Sequence, residues 1–405
     1  MLLKLAAMVF PFLLFGSVTL GIDCFFRDGH AHLLKGKKIA LVTNHTAIDS
    51  QMQLTAQRFL NAPFTLAAIW TPEHGLYGSA YAGENVPDSH FHNKIPVYSL
   101  HGDCRRPKKE LFSGIDVIIY DIQDIGVRSY TFATTLYYVM EAASQNKVPI
   151  IVLDRPNPLG GVMVDGPMMC PKMRSFVGYL NVPYCHGMTI GELARLFNHE
   201  YAIKCELKVV AMEGWKRHMR FKDTHLSWIP TSPNIPESDT PLYCATTGIL
   251  GELGMVNIGI GFTMPFKIVG APWMDAQQFA SSLNNQKMEG VRFSPFHFRP
   301  FYGLYKGESC QGVLIDIVDV DKFQPLKTQY MLIGMIKTLY PKIFEKKLAE
   351  LPATRKEMFC KVNGNTEILN FLEKERYPAW QCITFDHQRR QTFLDTRKKY
   401  LCSTY

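Results

Sequence analysis

F-T-L-A-A-I at residues 64–69 runs directly into W-T-P-E-H-G-L-Y-G-S-A-Y-A-G-E-N-V-P-D-S at residues 70–89. The first stretch reads as a short strand buried on both faces. The second is a loop that carries Glu73, His74, Glu84 and Asp88 among turn glycines. The same event recurs through the N-terminal half. Lys38–Val42 ends in Thr43, Asn44 and His45, and Ile95–Leu100 ends in His101, Gly102 and Asp103. Val117–Tyr120 ends in Asp121, Ile122, Gln123 and Asp124, and Pro149–Leu153 ends in Asp154, Arg155 and Pro156. Between the last two strands, Phe132, Leu136, Val139, Met140 and Ala143 repeat at helical spacing. Strand, helix, strand in that order is a βαβ unit, so the class is α/β with a parallel sheet. Ligands of such sheets gather outside the carboxyl ends of the strands. The polar residues at these ends are therefore the first candidates for chemistry.

The rest of the chain sets the frame. Its 405 residues favour two domains, and 47% hydrophobic with 20% charged residues is ordinary globular composition. Lys4 followed by apolar Leu5–Phe15 and small Ser17, Thr19 and Gly21 reads as a signal peptide over residues 1–21. A retained anchor is the alternative. No later segment is long and apolar enough to span a bilayer. The expected location is periplasmic or extracellular. Ten cysteines form no C-x-x-C, which weighs against zinc-ribbon and thioredoxin-like classes. Most read as buried small hydrophobes. The net charge of +8 is spread among acids: residues 342–405 hold 13 Lys/Arg against 8 Asp/Glu. That pattern suits a solvated helical face, and no nucleic-acid motif accompanies it. Neither H-E-x-x-H nor G-x-G-x-x-G is present, so neither a metal nor a dinucleotide cofactor is expected.

Thr189 and Glu192 form a capping box before a helix. Pro230, Pro233, Pro236 and Pro241 exclude regular structure over 230–241, which is either a linker or a stiff loop over a cleft. Beyond about residue 245 a second, smaller α/β domain follows. The expected division is 1–21, 22–244 and 245–405.

Several motifs taken together resemble one family. They are L-V-T-N-H at 41–45, T-P-E-H-G at 71–75, G-E-N-V-P-D-S at 83–89 and D-I-Q-D-I-G-V-R-S-Y-T at 121–131. D-R-P-N-P-L-G-G at 154–161, D-G-P at 165–167, H-G-M-T-I-G-E-L-A at 186–194, S-P-N-I-P at 232–236 and G-A-P-W at 270–273 follow. In this order they resemble the exo-β-N-acetylmuramidase family, formerly a domain of unknown function. The resemblance implies a Rossmann-like N-terminal domain and a cleft near its junction with the C-terminal domain. It implies release of terminal β-linked N-acetylmuramic acid from peptidoglycan fragments or muropeptides. One segment departs from the family pattern. Where E-G-T-N-x-S-E-G-R-G-T-x-R-P-F-E is expected, residues 252–267 read E-L-G-M-V-N-I-G-I-G-F-T-M-P-F-K. Ile258, Ile260, Met264 and Lys267 replace a Glu, two Arg and a Glu. This motivates an alternative, a muropeptide-binding protein with impaired turnover.

Glycoside hydrolysis uses one carboxylic acid to protonate the leaving oxygen and a second group opposite the oxocarbenium-like centre. Glu73 is the expected acid. Asp121, Asp124 and Glu84 compete for the partner role, and the substrate's 2-acetamido group is a third route. Arg128 and Arg155 either bind the lactyl carboxylate or pair with a local aspartate. Asn44, His74 and His186 are candidates for sugar hydroxyls, Tyr130 for stacking on a ring, and Asp154 for binding at its own strand end.

Overall fold

The computed structural model describes residues 17–405. The expected signal segment therefore lies almost wholly outside the described residues. Seven strands build the main sheet. They are β1 (Lys38–Thr43), β2 (Thr65–Thr71), β3 (Ser89–Phe91), β4 (Ile95–Ser99), β5 (Val117–Asp121), β6 (Ile150–Leu153) and, after a small hairpin, β9 (Leu207–Val210). Their order is β3-β4-β2-β1-β5-β6-β9, and only the β3–β4 pair is antiparallel. Counted along the chain, the six parallel strands stand in the order 3-2-1-4-5-6, that of the doubly wound dinucleotide fold. The Rossmann-like expectation holds.

Alternation along the strands explains the layers. Val42, Trp70, Ile118, Tyr120 and Val152 face one side, where Phe132, Leu136 and Met140 of helix Thr131–Asn146 cover them. Leu41, Ile69, Ile119, Ile151 and Leu153 face the other side, against Ile22, Phe25 and Phe59. Both faces are dry, so these strands read as continuous apolar runs rather than as alternating ones. The Thr189 box caps helix Ile190–Glu200 as the sequence predicts.

The hairpin strands β7 (Asp165–Met168) and β8 (Pro183–Cys185) lead toward the second half. There β10 (Ile268–Ala271), β11 (Val291–Phe298) and β12 (Cys310–Ile317) form an antiparallel sheet in the order β10-β12-β11. Helix Ala276–Asn284 packs on this sheet, and helices Thr240–Glu252 and Pro325–Leu339, packed on each other, share one large core with it that also takes in Ile125, Val127 and Tyr184 of the first half. Helix Thr240–Glu252 runs unbroken through residues 244 and 245. The chain then returns. Phe393 and Tyr400 join the N-terminal core, and the Tyr405 hydroxyl donates to Asp154 Oδ2 at 2.7 Å. Among the described residues no helix is long and apolar enough to cross a membrane. None of the ten cysteines is in a disulfide.

Candidate active site

The carboxyl ends of β1, β2, β5 and β6 lie on one edge of the sheet, as parallel pairing requires. Above it, where the two halves meet, opens a cleft of about 690 Å³. Glu73, His74 and Tyr81 come from the loop after β2. Ser129, Tyr130 and Thr131 come from the turn before helix Thr131–Asn146, and Ser232–Ile235 from the proline-rich segment. The opposing wall is Glu252, Asn257, Ile258, Ile260 and Phe266, with Leu351 and Arg355 farther along the chain. The proline-rich segment is thus a wall of the cleft. Among the contacts that hold it, His45 Nε2 meets the Pro230 carbonyl at 2.6 Å, the Tyr130 hydroxyl donates to Thr231 Oγ1 at 2.9 Å, and Lys267 pairs with Glu237 and Asp239.

Glu73 is 8% exposed. Its Oε1 accepts from the Gly83 amide at 2.8 Å and its Oε2 from the Thr131 hydroxyl at 2.7 Å. His101 Nε2 stands 3.8 Å from Oε1, and burial lowers that imidazole's pKa. His74 follows with φ of +72°, a left-handed conformation that costs any residue bearing a Cβ some energy and turns the loop sharply. Its Nδ1–H donates to the Ala80 carbonyl at 2.8 Å. Glu252, at the end of its helix, has a pKa raised by burial, partly offset by the Arg355 guanidinium. That ion pair is loose, with 3.5 Å between Arg355 Nη1 and Glu252 Oε2. The Glu252 side chain is half-buried, 31% exposed, and its buried part favours the protonated acid, the direction a proton donor needs.

Other residues predicted from sequence do not line this cleft. Asp121 is fully buried in a pair with Arg155, Nε to Oδ1 at 2.5 Å and Nη2 to Oδ2 at 3.0 Å, and also accepts from Thr55 Oγ1 at 2.6 Å. Of the two fates open to Arg155, pairing with an aspartate is the one adopted. Asp124 lies beneath the surface, accepting from the Gly126 amide at 2.8 Å, and burial raises its pKa to about 7. Gly126 is required there: at φ +83° a Cβ would sit 2.1 Å from Asn157 Oδ1. Arg128, fully enclosed, donates to the Pro167, Val182, Val362 and Asn363 carbonyls at 2.6–3.0 Å, and burial lowers its pKa to about 10. It joins the two halves through both Nη atoms; its Nε has no partner but is enclosed, so the guanidinium is not presented to the cleft. Asp154 accepts from Thr189 Oγ1, the Gly191 amide and Tyr405, anchoring a helix start. Glu84 is exposed and accepts from the Tyr81 amide at 2.8 Å. Asn44 Oδ1 accepts from Thr46. His186 is buried with its pKa pushed down to about 3 by burial and by Arg397 and Arg128. For Asn44, Asp121, Asp124, Asp154 and Arg155 the physical reason is shared: a strand end between two covering layers has a buried side as well as an open one, whereas Glu84 points to solvent.

Residue-type reasoning passed over Glu252 as a catalytic candidate. The available signal was that it survives unchanged at the head of the altered segment 252–267. Arg355 had no signal, since only the fold brings helix Ala353–Asn363 to the cleft. A second cavity of about 670 Å³ is less suited to a ligand. Two of its guanidinium groups are ion-paired, Arg217 with Glu192 and Arg220 with Asp321, and Arg390 donates to the Gly166 and Phe385 carbonyls. Among the described residues, the one cluster of metal-ligand atoms is Cys24, Asp28 and Glu213, and Arg27 is paired with both carboxylates.

The N-terminal model of the family described as exo-beta-N-acetylmuramidase NamZ matches residues 39–239, and its C-terminal model matches residues 242–402. The chain belongs to the exo-beta-N-acetylmuramidase NamZ family. It is a glycoside hydrolase by that membership. It is 38% identical over 388 residues to the peptidoglycan beta-N-acetylmuramidase NamZ of Bacillus subtilis (strain 168), covering 95% of this chain and 91% of that protein. Crystal structures of two DUF1343 family proteins from Bacteroides fragilis share the NamZ-family fold. One has a TM-score of 0.88 at 37% identity, covering 95% of this chain and 98% of that one. The other has a TM-score of 0.74 at 25% identity, covering 95% and 99%. The C-terminal NamZ-family model begins at residue 242, inside helix Thr240–Glu252, and includes Glu252.

Proposed function

We propose that this protein releases terminal β-linked N-acetylmuramic acid from peptidoglycan fragments, with Glu252 as general acid and Glu73 as its carboxylate partner. The observation that carries the reading is that these two glutamates line one cleft from opposite halves of the chain. Burial favours the proton on Glu252, which suits protonation of the leaving oxygen. Glu73 is fixed by an amide and a hydroxyl, both donating to it. A carboxylate so held serves each glycosidase route: it attacks, activates water, or orients the substrate's acetamido group. Tyr81 at the exposed rim and half-buried Tyr130 supply aromatic groups, and Asn234 and Ser129 supply hydrogen-bonding groups for sugar hydroxyls.

A second reading has its own observation. Ile258 and Ile260 line the cleft where the family pattern has charged residues. A muropeptide-binding protein without turnover would tolerate that change. Purified protein incubated with a chromogenic β-N-acetylmuramide and with a muramyl-terminated disaccharide separates the two. Product from either is the expected result, and binding without product on both selects the second reading.

The protein is exported in this proposal, on the strength of Lys4 and the apolar run Leu5–Phe15. Val18 and Leu20 are buried, Val18 against Met212 and Trp215, and Thr19 exchanges backbone hydrogen bonds with Glu213. Cleavage ahead of Val18 keeps these contacts, whereas cleavage at Gly21 removes them.

A further inference from the structure

Among the described residues, Arg355 is the one arginine or lysine lining the cleft. Its side chain is 55% exposed, and its ionic contact is the 3.5 Å pair with Glu252. The arginines that sequence reasoning favoured are engaged elsewhere, Arg128 with four carbonyls and Arg155 with Asp121. The same cleft carries apolar Leu351, Ile258 and Ile260 in its wall. The substrate proposed above differs from N-acetylglucosamine by a lactyl group, and that group's carboxylate is the sugar's one formal charge. A guanidinium fork matches a carboxylate in bidentate geometry.

Resting on that reading, we propose that Arg355 forms the subsite that recognises the lactyl carboxylate, and that it exchanges Glu252 for the ligand when the sugar binds. At 3.5 Å the resting pair makes no direct hydrogen bond, so a ligand carboxylate within hydrogen-bond reach displaces it at small cost. The exchange has a chemical consequence. Arg355 is the charge that favours ionised Glu252, and drawing it away strengthens the hold of Glu252 on its proton. Recognition of the correct sugar and readiness of the acid are then one event.

The test uses two probes, the methyl β-glycoside of N-acetylmuramic acid and the same glycoside with its lactyl carboxylate converted to the primary amide. Binding is measured by titration calorimetry on the wild-type protein, Arg355→Met and Arg355→Lys, with melting curves to confirm folding. The wild type is expected to favour the acid about tenfold, a modest margin for a partly exposed charge pair. Arg355→Met binds acid and amide alike, and Arg355→Lys keeps part of the preference, since an ammonium lacks the fork. A preference that survives in Arg355→Met overturns the subsite, as does a wild type that binds both probes equally; both leave the proposed hydrolase standing. A wild type that binds neither probe overturns the subsite and the proposed substrate together.

Discussion

Glu252 and Glu73 share a cleft but are held by different groups, and that difference predicts different kinetic faults. Glu252→Gln removes the proton at nearly constant volume. It is expected to lower kcat/KM on a muramyl disaccharide by about 10²–10⁴-fold and to do much less harm on an aryl muramide, whose leaving group needs little protonation. Glu73→Gln is expected to impair both substrates, because the partner acts on the sugar side of the bond. Parallel assays on the two substrates check the assignment, and the reverse pattern would exchange the roles. Asp124 offers a prediction in stability instead. Burial raises its pKa to about 7, above the unfolded value of about 3.9. The native chain therefore binds this proton more tightly than the unfolded chain, and stability falls as pH climbs between those values. Asp124→Asn removes the buried charge. It should be the more stable protein at pH 8 by about 2–4 kcal/mol and lose the advantage near pH 4, as read from urea denaturation at the two pH values.

Elements owe their positions to polar anchors at their ends as much as to apolar faces. Helix Ile190–Glu200 starts on Thr189, whose hydroxyl donates to Asp154 Oδ2, while the Gly191 amide donates to Oδ1. The Tyr405 hydroxyl completes that site and also accepts from the Met212 amide at 2.9 Å. Tyr405→Phe strands the Met212 amide and strips one donor from Asp154. A loss of about 1–3 kcal/mol in unfolding free energy is expected, with the kinetic constants unchanged because the site is remote from the cleft. Element by element, the strands and helix of the N-terminal half were legible in the sequence, because a doubly covered sheet needs unbroken apolar runs. β5 spans Val117–Asp121, within a residue of the expected Val117–Tyr120, and the repeat from Phe132 to Ala143 lies inside helix Thr131–Asn146. β9, at the edge of the sheet, was not legible: Leu207–Val210 is only partly buried and interrupted by Lys208.

At the scale of the whole molecule, Arg128 joins the two halves. It donates to Pro167 and Val182 on one side and to Val362 and Asn363 on the other, one residue before the Ser129–Thr131 wall. Arg128→Met fills similar volume but leaves these carbonyls without their donor. It should cost about 3 kcal/mol or more and lower kcat/KM as well, because the walls bearing Glu73 and Glu252 lose their common tie. Thermal melting together with turnover checks both parts. The N-terminus carries the last prediction. Intact mass of protein recovered from its native host should show loss of the first residues up to a point ahead of Val18. A mass retaining Met1 would indicate an anchor.

Composition, periodicity and motif order by themselves determined the class, the parallel sheet, the edge at which the cleft opens and the family, because each depends on local spacing along the chain. The choice among polar residues at that edge was made only by tertiary structure. Asp121, Asp124 and Asp154 end strands just as the strand before Glu73 does, yet Arg155, Gly126 and Thr189 take them as structural partners. Glu252 and Arg355 lie 179 and 282 residues beyond Glu73 in the chain (252 − 73 and 355 − 73), and packing of the second half onto the first brings all three to one cleft. Spacing along a sequence has no bearing on such a meeting, since burial, charge pairing and desolvation are set by neighbours in space.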